Sequence, residues 1–113
     1  MEKYLLYLLV LFCALLGSLG QTFFKIASKD FSFSFNGLFL NFHLILGIIF
    51  YGTSALLFVY SLKFGELSIL YPIIATSYIF VTILSFIVFK ESLNLYKILG
   101  VLAIIFGIWL ITK

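Results

Sequence analysis

The chain is 113 residues long, 65% hydrophobic and 10% charged, with a mean hydropathy of +1.30. Soluble domains run nearer half apolar and a quarter charged, so this composition excludes a water-soluble fold. The net charge of +3 comes from seven lysines and no arginine, and they are scattered singly. That leaves no basic stripe able to follow a nucleic-acid backbone.

Crossing a bilayer as a helix takes about 20 apolar residues, and four stretches meet that length. The first covers about 4–26. A cleaved signal peptide over 1–20 is the rival reading, because Lys3 precedes the apolar run and "GSLG" is rich in small residues. The run is too long for that and continues through "TFFKIA" without a polar start. Cys13 follows Leu11 and Phe12 rather than small residues, which argues against a lipoprotein anchor. As a lone cysteine it also leaves no disulfide partner within the chain.

The first connection, "ASKDFSFSFNG", alternates aromatic and small polar residues. If extended, it places Phe31, Phe33 and Phe35 on one side, with Asn36-Gly37 as a turn. Such a segment suits the membrane interface, as an ordinary loop or as a lateral entry for a lipid. The second span covers about 42–62, the third about 67–89 and the fourth about 93–112. "KFGE" and "KESLN" separate them, and connections this short make neighbouring helices antiparallel. The expected architecture is all-α: four transmembrane helices in a compact bundle, forming one domain over 1–113.

Lysine bias does not orient it. Lys3, Lys63 and Lys113 fall on one side, and Lys25, Lys29, Lys90 and Lys97 on the other.

Polar residues inside spans are costly and mark candidate sites. Gln21 and Lys25 lie four apart on one face of the first helix, which Gly17 extends backwards. Two roles are open to Lys25. Its stem can snorkel to the headgroups, or its ammonium can meet an anionic group such as a lipid phosphate, with Gln21 bonding beside it. In the third span Pro72 follows Tyr71 and removes a backbone hydrogen bond, giving either a packing kink or a hinge beside a polar cavity. Thr76, Ser77 and Tyr78 come next, and Tyr51, Thr53 and Ser54 of the second span can line the same interior.

Gly100, Ala103 and Gly107 form a small-residue stripe on the fourth span, a packing face within the chain or with a second copy. Glu91 is expected to cap the fourth helix or pair with Lys90 or Lys97. His43 and four carboxylates form no ligand cluster, so neither a metal nor a cofactor is expected. No nucleophile motif, phosphate loop or carboxylate pair is present, which disfavours an enzyme.

Taken in order, "GQTFFKIAS", "LYP" and "FKESLNLYKILGVLAIIFGIWLI" resemble the drug/metabolite transporter superfamily, and within it the half-size four-helix members with an EamA-type domain. Two branches are relevant. Small multidrug resistance proteins exchange protons for cationic drugs at a glutamate in helix one. Aligned through Lys25, that position is Gly17, and no carboxylate lies between Lys3 and Lys29.

The other branch is similar to the aminoarabinose-lipid flippase subunits, which carry the Gly-Gln and later Lys of helix one and the Tyr-Pro of helix three. Here these match Gly20, Gln21, Lys25, Tyr71 and Pro72. That resemblance implies a flippase or transporter of a polyprenyl-phosphate-linked sugar or similar amphipathic anion in the bacterial inner membrane. It implies a homodimer, or a heterodimer with a similar four-helix subunit, because four helices alone leave little room for a pathway. Lys25 would hold the phosphate, with Gln21, Tyr51, Tyr71 and Ser77 lining the site and Pro72 as hinge. The alternatives are an exporter of cationic compounds or metabolites, and a non-transporting membrane subunit of a glycosyltransferase complex.

Overall fold

A computed structural model describes residues 2–113. The order is α1 (Lys3–Ala27), α2 (Phe35–Phe39), α3 (Phe42–Ser61), α4 (Leu67–Ile74), α5 (Ser77–Val88) and α6 (Leu95–Ile111). Among the described residues, three apolar helices are long enough to cross a membrane: Lys3–Ala27, Phe42–Ser61 and, taking α4 and α5 together, Leu67–Val88. The chain is a multi-pass membrane protein. The fourth apolar helix is shorter than the expected span, with 17 residues. Its start is set by Asn94, whose Oδ1 accepts from Lys97 N at 2.9 Å, so Leu93 falls in the preceding connection. That cap belongs to Asn94 rather than Glu91, and Lys97 Nζ donates to Ser92 O at 2.7 Å.

The first connection is not extended throughout. Ser34 accepts from Gly37 N at 3.2 Å and nucleates α2, so Asn36-Gly37 is helical rather than an open turn. Phe31 and Phe33 meet edge-on with centroids 5.2 Å apart, while Phe35 pairs with Phe39 at 5.3 Å. Asn41 ties this connection down. Its side chain is buried, donates to Ala27 O at 2.9 Å and accepts from Leu44 N at 3.3 Å, closing α1 and opening α3 together.

Helix α1 is the hub, packed by α3, α4 and α5, whereas α6 rests mainly on α4. The molecule measures 47 × 36 × 19 Å, and its thin dimension is about two helix diameters. It is therefore a flat layer with α6 at one side, not the compact bundle expected. The fully enclosed apolar cluster is small, formed by Leu6 and Val10 of α1 with Leu70 and Ile73 of α4. Most large apolar side chains point outward, as they do where lipid tails replace a core.

The third span breaks one turn beyond Pro72. Proline has no N–H to offer Ser68 O, and the following amides tighten. Ala75 N donates to Pro72 O and Thr76 N to Ile73 O, each at 3.0 Å and three residues back rather than four. α4 ends there and α5 restarts at Ser77.

Candidate functional site

α1 and α3 approach closely because glycines face each other. A Cβ on Gly20 would lie 3.0 Å from Tyr51 N and 3.1 Å from Gly47 O, both backbone atoms. Gly20 of the "GQ" pair is thus a packing residue. The contact is pinned by a buried hydrogen bond in which Ser54 Oγ donates to Cys13 O at 2.7 Å. Where α4 and α5 meet this pair, a cleft of about 530 Å³ opens.

Each wall follows from helical spacing. α1 contributes Gly17 and Gln21, one turn apart, and α3 contributes Tyr51, Ser54 and Phe58 at i, i+3 and i+7. The break after Pro72 brings Tyr71 from α4 and Ser77 and Tyr78 from α5 onto the third wall. Of the expected site residues, Gln21, Tyr51, Tyr71 and Ser77 meet in this one cleft. Lys25 does not line it; it is exposed, one turn further along α1 than Gln21. Pro72 shapes the wall without lining it. Thr53 turns away, its hydroxyl donating to Ile49 O at 2.7 Å. Cys13 and Phe58 line the cleft and were not anticipated, although each continues a stripe already visible, Cys13 one turn before Gly17 and Phe58 one turn after Ser54.

No residue lining the cleft is charged. At Gly17, where a proton-exchanging glutamate would sit, a Cβ would meet Ser54 Oγ at 3.3 Å. The wall there is therefore close-packed as well as neutral.

The stripe of α6 packs on nothing within the chain. Added Cβ atoms at Gly100 and Gly107 would meet nothing within 4 Å, and Ala103 is exposed.

The family model of the EamA-like transporter family matches residues 5–113. Curated relatives include the probable 4-amino-4-deoxy-L-arabinose-phosphoundecaprenol flippase subunit ArnF of Photorhabdus laumondii. That protein is 36% identical over 69 residues, covering 59% of this chain and 55% of the relative. The ArnF proteins of Proteus mirabilis and Serratia proteamaculans, with the same printed name, are 36% and 39% identical over 69 residues. These matches also cover 59% of this chain, with 52% and 53% of the respective relatives. The chain thus spans about half the length of the curated relatives it matches. No solved structure matches it.

Proposed function

The chain belongs to the EamA-like transporter family, and on that premise we propose that it moves a polyprenyl-phosphate-linked sugar, or a similar amphipathic anion, across the bacterial inner membrane. The observation that carries this reading is the cleft. It gathers Gln21 and three tyrosines, holds no acid, and has Lys25 as the cation nearest along α1. A cation beside an acid-free cleft suits a phosphate, and a cationic drug would find no counter-charge there. The flippase names of the relatives support the same class of cargo.

Movement is by alternating access in a dimer, homomeric or with a similar four-helix subunit. The cleft is open on one side and α6 has a face left uncovered, both of which support this. In this mechanism Lys25 holds the phosphate at the edge of the cleft, Gln21 assists, and the break after Pro72 lets α4 and α5 shift against α1.

The test is titration of the purified protein in nanodiscs with undecaprenyl phosphate and, separately, with a quaternary amine. Lys25→Ala should weaken undecaprenyl-phosphate binding by roughly 10- to 100-fold, the usual worth of a charge-assisted hydrogen bond. Lipid-phosphate binding indifferent to Lys25 would remove its assigned role. Amine binding without lipid-phosphate binding would return the chain to the cation-exporter class. Copurification with a glycosyltransferase and no flux in proteoliposomes would favour a non-transporting subunit.

A further inference from the structure

Past the end of the third span the chain folds back over α5. Ser85 O accepts from both Phe89 N at 3.1 Å and Glu91 N at 3.2 Å, and Lys90 turns the backbone between them with a φ of 55°. The returning connection and the first turn of α6 enclose a second cleft of about 240 Å³ against α5. Glu91, Ser92 and Lys97 reach it from the connection and from α6, and all three are exposed. Val81, Ser85 and Phe86 reach it from within the apolar span. Charges at the end of a span with apolar residues deeper along it match the order of groups in an amphiphile.

The two charges share this cleft without neutralising each other. Lys97 Nζ donates to Ser92 O at 2.7 Å, which leaves two of its three N–H groups. Among the described residues, the Glu91 carboxylate takes part in no hydrogen bond or ion pair. An ionised carboxylate only accepts, so its complement is a cation with N–H groups, whereas the complement of Lys97 is an anion. A lone anion gains Lys97 and is opposed by Glu91, and a lone cation meets the reverse. A ligand that carries both charges gains from both.

We propose that this second cleft binds a lipid phosphate that also carries a primary ammonium, with Lys97 on the phosphate and Glu91 on the ammonium. The apolar part of the lipid lies along Val81 and Phe86. Two sources have this chemistry: a bilayer phospholipid with an ethanolamine head, and a polyprenyl-phosphate cargo whose sugar bears an amine. Only the second rests on the transport reading above. For that source the position is suggestive, because Val81 borders both this cleft and the larger one.

The experiment uses the full chain in detergent and counts added lipid by native mass spectrometry. One set of probes is phosphatidylethanolamine, phosphatidylcholine and phosphatidylglycerol. The other is undecaprenyl phosphate bearing glucose or glucosamine. The ammonium-bearing member of at least one set should bind about fivefold tighter than its companions, the upper range for an exposed ion pair. Glu91→Gln should erase that preference, and its side chain holds no bond whose loss would disturb the fold. Lys97→Gln should weaken the preferred lipid by a similar factor and Lys97→Arg should restore it. Lys29→Gln, outside the cleft, should change nothing.

A preference confined to phosphatidylethanolamine assigns the cleft to the bilayer, and one confined to the glucosamine lipid assigns it to the cargo. Equal binding within both sets would refute the site. A preference that survives Glu91→Gln would place the ammonium elsewhere and overturn the assignment. If neither undecaprenyl lipid binds while phosphatidylethanolamine keeps its advantage, the transport reading falls and this site stands.

Discussion

Thr76 shows how local backbone geometry strands a single side chain. Thr22, Thr53, Thr82 and Thr112 each donate to the carbonyl four residues back, which keeps a hydroxyl satisfied in an apolar surrounding. Thr76 sits where the amides tighten to three-residue spacing, and its buried Oγ1 has no partner among the described residues. Replacing it by Val removes the stranded group at nearly constant shape. Because an unsatisfied buried hydroxyl costs about 1–3 kcal/mol, Thr76→Val should raise the thermal midpoint in detergent by a few degrees. A lowered midpoint would mean that the hydroxyl is satisfied in the assembled protein. Lys90 is a second strained position, with a φ of 55° in the turn that ends α5. Asn41 is the opposite case, one buried side chain whose amide serves two helix ends.

At the scale of elements, two stripes of small residues carry the same sequence signal and end in different places. Gly17 and Gly20 on α1 and Gly47 on α3 close the main helix contact, while Gly100, Ala103 and Gly107 face away from the chain. Spacing alone announces that a helix can be approached closely, and says nothing of which helix approaches it. Gly20→Ala should destabilise the fold by about 1–3 kcal/mol, since the new methyl meets backbone atoms that move only if α1 and α3 separate. Chemical or thermal unfolding in detergent would measure this, and an unchanged midpoint would show that the contact is looser than its geometry implies. The proline was readable as a disturbance of the third span. That the helix continues for two residues past Pro72 and breaks at Ala75-Thr76 was not, because the position of the break depends on how α4 and α5 pack against α1.

For the whole molecule, the flat shape and the position of α6 leave a cleft closed on three sides and a helix packed on one. This is the basis for expecting a dimer through α6. Gly107→Leu should leave the monomer's helix content and midpoint nearly unchanged, because a Cβ at that position meets nothing within 4 Å in the chain. The same change should lower the dimer fraction about tenfold if the stripe is the contact, as bulky residues do at close helix crossings. Crosslinking or mass photometry in detergent would read it. A full dimer population in the variant would place the interface elsewhere.

The sequence by itself determined the solvent this protein lives in, the long apolar stretches, their approximate ends and the polar face of α1. Each of these depends on local hydrophobic runs, caps and breaks. Tyr51, Tyr71 and Ser77 were legible as candidates because a polar group in an apolar span is conspicuous wherever the span folds. Only the tertiary structure decided that these three join Gln21 in one uncharged cleft and that Lys25 stands outside its lining. It also decided that α6 leaves the layer with its small residues uncovered. Those outcomes depend on the rotation and spacing of helices against one another. In lipid, spacing is set by close backbone approach and buried hydrogen bonds between segments far apart in the chain, as at Gly20 with Gly47 and at Ser54 with Cys13.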